Sequence, residues 1–329
     1  MLVAGGLTLA GLLAWRLSGV VVMAFGSVLF AVVLHAFADP FGRRLRLRPK
    51  LALSLVLAGI VLALAGALWV FGRAVEAQLA SLIELIPRVW GTLDRRLGAG
   101  GLGPGLLQRL TDQLADLRWL AALGQRMAGQ ASASVAAILI VAFAGIYLAY
   151  NPGSYVEGAL LLLRPRARAR ARQVLEAMHD ALRQWLLAQF ASMLLVGVTT
   201  GVGLALAHTP SAFALGLIAG LGQFVPVVGP MAAAVPGLLA AAGVGTETFF
   251  WTAVVYLAAA QFEANVVSPL ALRQMAQLPM AITMFAVLAM GVLFGPLGVL
   301  LATPLAVVAY VAVKTLYVEP MNGAGRAGS

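Results

Sequence analysis

Hydrophobic residues occur in long blocks along this chain, and the lengths of the blocks predict membrane-spanning helices. The first three blocks cover residues 2–15, 20–37 and 51–71, and two more cover 134–150 and 186–207. An α-helix needs about 20 apolar residues to cross a hydrocarbon core of about 30 Å. The first block is short, but it lacks the basic n-region and small-residue cleavage site of a signal peptide, so we expect a retained span.

An amphipathic stretch follows the third block. Apolar side chains recur there at spacings of three and four residues, which is typical of a helix with one apolar face: Val75, Leu79, Leu82, Ile86, Trp90, Leu93 and Leu97. The glycine-rich run at 98–105 ends this helix, and a second apolar stripe continues to Leu120. We therefore expect a helical hairpin outside the bilayer at 73–131, between membrane helices 1–3 in 1–72 and membrane helix 4 in 132–150. We expect the apolar face of this hairpin to pack on the membrane domain or on a neighbouring subunit. The alternative is that this face binds a partner.

A second polar stretch is strongly basic. Arginine alternates with alanine from Arg164 to Arg172, and Pro165 suits a first helical turn. The stretch at 151–185 is therefore predicted to be a basic amphipathic helix on the cytoplasmic membrane surface, facing anionic lipid headgroups. An RNA-binding role is disfavoured, because the run has no interleaved aromatic residues and membrane spans flank it.

The segment at 186–315 contains two apolar regions that glycine and proline interrupt. In the first, arms at 212–223 and 231–242 flank the sequence Phe-Val-Pro-Val-Val-Gly-Pro at 224–230. Each arm has about 12 to 15 residues and a length of about 18 to 22 Å, too short to cross the hydrocarbon core. The region at 280–313 repeats this plan. We expect two re-entrant hairpins that form the core of a transporter; the alternative is that the prolines only kink ordinary spans.

Composition strengthens the membrane prediction. The chain is 62% hydrophobic and 10% charged, with a mean hydropathy of +0.96, whereas soluble domains average about 25% charged residues. Cysteine is absent and the three histidines are far apart in the sequence, so we expect neither a metal nor an organic cofactor. The net charge of +10 comes from basic residues beside apolar spans, which favours topology and lipid contact over nucleic acid.

The basic residues also predict the orientation. The loop at 39–50 carries Arg43, Arg44, Arg46, Arg48 and Lys50. This loop and the run from Arg164 to Arg172 should be cytoplasmic, because cytoplasmic loops carry the excess of Lys and Arg. When the membrane crossings are counted from these loops, both termini lie in the cytoplasm, including the tail at 316–329. The hairpin at 73–131 then lies outside.

Glu263 is the acidic residue that stands out. Between Arg183 and Arg273 the sequence has no Lys or Arg, and the only other carboxylate there, Glu247, lies in a stretch that predicts a loop. A carboxylate at membrane depth costs about 2 to 4 kcal/mol or more, so it is usually retained for function. A buried Glu263 would suit the exchange of a proton for a cation. Alternatively it is a structural acid that pairs with Arg273 or caps broken-helix amides.

Four motifs together resemble the autoinducer-2 exporter family of bacterial membrane proteins. They are Gln-Phe-Val-Pro-Val-Val-Gly-Pro at 223–230, Gln-Phe-Glu-Ala-Asn-Val-Val-Ser-Pro at 261–269, Leu-Phe-Gly-Pro-Leu-Gly at 293–298 with Ala-Thr-Pro at 302–304, and Asp39-Pro40 before a basic loop. The resemblance implies an oligomeric inner-membrane protein. It also implies export of a small quorum-sensing furanone derivative or, in some members, exchange of Na+ or Li+ for H+.

The expected fold is all-α: a polytopic membrane protein of about eight transmembrane helices, with two re-entrant helical hairpins and an extracytoplasmic helical insert. The expected function is export of a small polar signalling molecule. The alternatives are a Na+(Li+)/H+ antiporter and a non-transporting membrane scaffold. An enzyme is disfavoured because the sequence has neither a His-Glu-x-x-His nor a Gly-x-Ser-x-Gly motif.

The polar groups and breaks that we expect along the pathway lie between 223 and 304. On a helix, Gln261, Asn265 and Ser268 share one face, whereas Glu263 points elsewhere. The full set is Gln223, Pro226, Gly229, Pro230, Gln261, Glu263, Asn265, Ser268, Pro269, Gly295, Pro296, Gly298, Thr303 and Pro304.

Overall fold

The computed structural model describes residues 2–66, 69, 136–225, 228–267 and 279–318, and every regular element in those ranges is helical. Nine helices are described: α1 (Leu2–Leu45), α2 (Pro49–Gly66), α3 (Ala136–Tyr150), α4 (Pro152–Leu161), α5 (Pro165–Leu206), α6 (Ala212–Gly222), α7 (Val228–Ala242), α8 (Thr246–Phe262) and α9 (Met280–Val313). Helices α8 and α9 each continue into one π-helical turn, at Glu263–Val267 and Lys314–Val318. The predicted hairpin at 73–131 lies outside the described residues.

Four of the described helical segments are long and apolar enough to cross a membrane: Leu17–Leu45, Pro49–Gly66, Pro165–Leu206 and Ala281–Tyr317. Helices α3 and α4 meet at 90° and make a fifth span if they count as one bent segment. This part of the chain therefore supports a multi-pass membrane protein with four to five candidate spans.

The N-terminal region is one helix where the sequence predicts two. Helix α1 is continuous across residues 16–19, between the blocks at 2–15 and 20–37. No proline lies in that interval, and the single Gly19 is tolerated inside a helix. The prediction of a separate first span was therefore wrong for the structure, which gives one span at Leu17–Leu45.

The predicted basic loop at 39–50 is mostly helical. Helix α1 continues through Pro40 to Leu45, and only Arg46 to Arg48 separate it from α2. Arg46 adopts a positive φ of 54°, and the amide of Leu47 donates to the carbonyl of Gly42 over 2.9 Å. These two features turn the chain tightly, so the basic side chains lie around a helix end rather than on a loop.

The basic stretch at 164–172 begins the long helix α5, which continues without interruption from Pro165 to Leu206. The sequence predicts a surface helix ending near 185 and a separate span at 186–207. No proline or glycine lies between Arg166 and Val196, so nothing local ends the helix where the polar pattern changes to an apolar one. The separation into two elements was wrong.

Two arginines of this stretch bind backbone carbonyls at helix ends. Arg168 donates to the carbonyls of Leu161 and Leu163, over 3.3 and 3.1 Å, at the C-terminal end of α4. Arg170 donates to the carbonyl of Thr315 in the turn that follows α9. Cations are favoured at helix C-termini, where carbonyls lack helical partners. The basic run thus ties the ends of α4 and α9 to the start of α5.

Helix α8 begins earlier than the sequence predicts. Glu247 lies in its first turn, whereas the Gly-rich sequence around it predicts a loop. A carboxylate in the first helical turn is stabilised by the partial positive charge of the helix N-terminus. Glu247 is therefore a terminal residue of a helix, and it is exposed.

Helix α5 is the centre of the packing, because α1, α6, α8 and α9 all contact it. Its contact with α6 is close: a Cβ added to Gly216 would lie 2.5 Å from the Cα of Gly201, and one added to Gly220 would lie 3.0 Å from the Cα of Gly197. Small residues four apart on both helices permit this approach of backbones. On its other sides α5 joins the main apolar cluster: Val22, Leu29, Val32, Leu182, Trp185, Leu186, Leu301 and Val307.

Candidate transport site

The first Gly/Pro break separates α6 from α7 and is fixed to α5. Gln223 follows α6 and is only 5% exposed. Its carbonyl accepts a hydrogen bond of 2.6 Å from the Nε2 of Gln189 on α5. The ring of the next residue, Phe224, meets the edge of Trp185 at a centroid distance of 5.9 Å. One polar and one aromatic contact therefore hold this break against the central helix.

The two arms of this break cross in backbone contact. A Cβ added to Gly229 would overlap the carbonyl of Gly222, and one added to Gly222 would lie 2.9 Å from the carbonyl of Gly229. Pro230 lies in the first turn of α7, where its missing N–H costs no helical hydrogen bond. Pro226 lies outside the described residues.

The second break lies inside α9 at Gly295. Its φ of 63° and ψ of −147° are non-helical, and they belong to a region that residues with a side chain rarely adopt. The bend brings the carbonyl of Met290 against Gly298, so that any side chain at Gly298 would overlap it. Pro296, just after the break, is exposed. Glycine at two positions is therefore a steric requirement of this bend.

The structure brings both breaks to the same apolar cluster, which includes residues of α5. Phe224 from the first break packs against the cluster that contains Trp185 and Leu186, and so do Phe294 and Leu297 from the second. Two segments far apart in sequence thus pack against one apolar cluster, which α1, α5 and α9 build together. This juxtaposition is the central geometric feature of the site.

Thr303 and Pro304 continue the inner face of α9 beyond the second break. Thr303 is 6% exposed, and Pro304 is among the most completely buried side chains. They follow Leu301 and Ala302, which are also buried. Thr303 therefore provides a hydroxyl in the interior, about two helical turns beyond the second break.

The run at 261–269 is placed differently from the breaks. Gln261 and Asn265 are exposed, and the Nδ2 of Asn265 donates to the backbone and side-chain oxygens of Gln261 over 2.8 and 3.2 Å. Glu263 is half-buried at the junction of α8 with its π-helical turn, and this turn packs on α5. Of these three, only Glu263 faces the interior. Ser268 and Pro269 lie outside the described residues.

Several buried or half-buried polar residues were missed by the sequence reasoning. Gln189 binds the first break, and the hydroxyls of Thr209 and Thr252 bind each other at 2.7 Å. The hydroxyls of Thr200 and Tyr256 are buried, with no hydrogen-bond partner in the described ranges. The spacing of residues in the sequence could have identified Thr252 and Tyr256, because both share a helical face with Glu263.

Comparison with known proteins assigns this architecture to a family. The family model described as AI-2E family transporter matches residues 5–318, nearly the whole chain. The chain belongs to the AI-2E transporter family. Its resemblance to the autoinducer-2 exporters, inferred from the motifs around the two breaks, is confirmed.

Two relatives of this AI-2E chain, from Bacillus subtilis and Mycobacterium tuberculosis, are each named "Putative transport protein". YrrI of Bacillus subtilis is 29% identical over 143 residues, covering 43% of this chain and 40% of YrrI. MT0215 of Mycobacterium tuberculosis is 30% identical over 173 residues, covering 52% of this chain and 47% of MT0215. The matched part of the chain thus spans about half the length of these relatives. The family is described as one of transporters, which is the basis for the transport role proposed below.

Proposed function

We propose that this protein exports a small polar signalling molecule of the autoinducer-2 type across the bacterial inner membrane. The observation that carries the proposal is that both Gly/Pro breaks pack against one apolar cluster, formed by α1, α5 and α9. Broken segments of this kind, in corresponding parts of a transporter, are the places where solutes bind near the middle of the bilayer. The inner membrane and the signalling role are what the resemblance to the autoinducer-2 exporters implies.

The chemistry of the breaks suits a neutral, hydroxylated solute. Such a molecule needs hydrogen-bond donors and acceptors within an otherwise apolar protein. Gln189, Gln223 and Thr303 bring amides and a hydroxyl to the two breaks. In addition, broken helices leave some backbone amides and carbonyls without helical partners. These groups would replace the water that the solute loses on entering the site.

The short helices α6 and α7 are best explained as a re-entrant hairpin. With 11 and 15 residues they are about 17 and 23 Å long, less than the roughly 30 Å of the hydrocarbon core. Irregular backbone at that depth is stable only when protein buries it or water reaches it. We extend the same proposal to α9, whose bend at Gly295 brings Met290 and Gly298 together. We propose a chain with about eight membrane segments, which includes these re-entrant hairpins and carries the predicted hairpin at 73–131 outside the membrane. We also propose that such chains form an oligomer.

Exchange of Na+ or Li+ for H+ is the second candidate, and Glu263 supports it. Glu263 is half-buried at the C-terminal end of the apolar helix α8. A carboxylate that changes between a protonated and a cation-bound form is the usual requirement for such exchange. The exposed positions of Gln261 and Asn265 leave Glu263 as the group in this run that is suited to the interior.

Transport by purified protein in liposomes separates the candidates. Labelled autoinducer-2 should accumulate in protein-containing vesicles above empty-vesicle controls, independently of a Na+ gradient. Proton movement driven by Na+ or Li+, followed with a pH-sensitive dye, would instead identify the antiporter. If neither solute nor cation moves above the control, the transport proposal fails and a scaffold that binds partners becomes the better interpretation.

A further inference from the structure

Helix α8 carries a line of polar side chains on its inner face. Thr252, Tyr256 and Glu263 are separated by four and seven residues, which places them on one side of a helix. Thr252 is fully buried, the Tyr256 hydroxyl is buried, and Glu263 is half-buried. Residues on the opposite side, such as Phe250 and Leu257, are 59% and 64% exposed. The polar groups therefore face the protein rather than lipid.

Tyr256 is the middle member of this line, and its surroundings are unusual. Its ring crosses to α7 and lies against Gly237, where a Cβ would overlap the hydroxyl. The hydroxyl has no hydrogen-bond partner in the described part of the chain. Leaving a buried hydroxyl unpaired costs about 1 to 3 kcal/mol. A phenylalanine would fill the same space without that cost, so the hydroxyl needs an explanation other than packing.

A second buried hydroxyl without a described partner lies on the neighbouring helix α5. Thr200 of α5 is 1% exposed, and its hydroxyl also has no partner in the described ranges. Helix α5 packs on α8 here, because a Cβ added to Gly203 would lie 2.7 Å from a methyl group of Val255. Thr200 lies one helical turn from Gly203. Both unpaired hydroxyls thus belong to the adjoining stretches of α5 and α8.

We propose that the inner side of α8, where it packs against α5 and α7, forms a solute route, in which the Tyr256 hydroxyl binds a small, neutral, hydroxylated solute. The proposal rests on the proposed export function and assigns a binding residue to it. Thr252 lies about 6 Å and Glu263 about 10 Å from Tyr256 along the helix axis, so a small solute reaches Tyr256 together with one neighbour. The neutral hydroxyls of Thr200, Thr252 and Tyr256 match the hydroxyl groups of such a solute better than a bare cation, which needs several negative or carbonyl oxygens.

Water access to this face tests the route without a transport assay. The chain has no cysteine, so single cysteines are introduced into the unaltered protein by Thr252→Cys, Tyr256→Cys and, as a lipid-facing control, Leu257→Cys. A water-soluble methanethiosulfonate reagent is applied to protein in liposomes. We expect Tyr256→Cys and Thr252→Cys to react, because the reagent needs a hydrated thiolate, and Leu257→Cys to remain unreacted. Failure of both inner-face variants to react, in protein that elutes as the unaltered protein does, would overturn the route.

The role of the hydroxyl is tested with Tyr256→Phe. Losing one hydrogen bond of about 1 kcal/mol to the solute should raise the half-saturating autoinducer-2 concentration about fivefold. The thermal unfolding temperature should not fall, because the removed hydroxyl has no hydrogen-bond partner among the described residues. Tyr147→Phe, at a site 65% exposed on α3, is the matched control and should transport normally. Unchanged transport by Tyr256→Phe would overturn the binding role.

The two proposals fail in different ways. If the unaltered protein moves no autoinducer-2 but Tyr256→Cys reacts from water, the export function fails and the hydrated route stands. If the unaltered protein transports and the inner-face cysteines stay unreacted, export stands and the route is wrong. Protection of Tyr256→Cys by added autoinducer-2 would support both.

Discussion

Gly222 and Gly229 let the ends of α6 and α7 cross in direct backbone contact. The sequence indicates a break here because Pro226 and Pro230 flank Gly229, but proline alone does not show which residues must be small. The structure assigns that requirement to the glycine pair, since a side chain on either would meet the other's carbonyl. At the scale of single residues, the site is therefore defined as much by missing side chains as by polar ones.

We predict that Gly229→Ala destabilises the protein and lowers transport. The new methyl group would overlap the Gly222 carbonyl, and overpacking of this kind costs about 1 to 3 kcal/mol. Gly59→Ala is the matched control, because a Cβ on Gly59 of α2 meets nothing within 4 Å and alanine favours a helix by up to about 1 kcal/mol. Thermal unfolding of both purified variants measures the difference. Equal unfolding temperatures would show that the crossing of the two backbones is looser than the structure indicates.

Glu263→Gln separates the two transport candidates at a single position. Glutamine keeps the size and hydrogen bonding of the side chain but cannot carry a proton at neutral pH. We expect it to abolish Na+/H+ exchange if exchange is the function, and to leave export of a neutral solute partly active. Dye-based proton movement and uptake of labelled autoinducer-2 are measured on the same vesicles. Full exchange activity in the glutamine variant would exclude Glu263 as the coupling acid.

Some helices are longer than the sequence predicts. This happens where the side chains change from polar to apolar along the chain but no residue interrupts the helix. Helix α5 continues from basic to apolar residues because no proline or glycine interrupts it between Arg166 and Val196. By contrast, α6 and α7 end close to where the sequence predicts, because glycine and proline impose local backbone limits. Hydropathy thus located membrane segments, whereas backbone chemistry located the ends of helices.

Replacing Pro226 and Pro230 together with alanine should straighten the first break. Restored amide donors allow α6 and α7 to extend toward each other, which would move Phe224 away from Trp185. We expect transport to fall while membrane insertion and yield remain normal. Pro165→Ala is the control, because Pro165 occupies the first turn of α5, where proline is tolerated. Normal transport by the double variant would show that the break is incidental.

At the scale of the whole molecule, α5 connects the basic end of the protein to the site. Arg170 binds the carbonyl of Thr315 after α9, and Arg168 binds the end of α4. Trp185 and Gln189, further along α5, then contact the first break. One rigid helix therefore contacts both the ends of its neighbours and the candidate site.

The continuous α1 changes the expected position of the N-terminus. Its first residues lie at the opposite end from the basic turn at Arg46 to Arg48, whereas the two predicted spans would return the N-terminus to the basic side. We therefore predict that Leu2→Cys reacts with an impermeant maleimide on intact cells, and that Arg326→Cys reacts only after permeabilisation. The cysteine-free parent chain is the blank. Reaction of Leu2→Cys only after permeabilisation would restore two crossings, and reaction of Arg326→Cys on intact cells would reverse the orientation.

The sequence alone determined the membrane setting, the family and the positions of the breaks. Each follows from properties of local sequence: runs of apolar residues, motifs such as 223–230 and 293–298, and the backbone limits of glycine and proline. The sequence also placed Glu263 on a different helix face from Gln261 and Asn265, since helical spacing fixes that relation. It did not decide whether adjacent apolar and basic blocks join into one helix, because no local residue forces or forbids it.

Only the tertiary structure decided which distant residues meet. The packing of Phe224, Phe294 and Leu297 on the cluster around Trp185 joins two breaks far apart in the chain. The unpaired Tyr256 hydroxyl against Gly237 likewise depends on how α7 and α8 pack. Such contacts depend on shape and on close approach between helices, which residue type and spacing along one helix do not encode. Backbone conformation and hydropathy act within a segment, so the sequence of that segment predicts their effects. Side-chain packing acts between segments, so only the tertiary structure shows it.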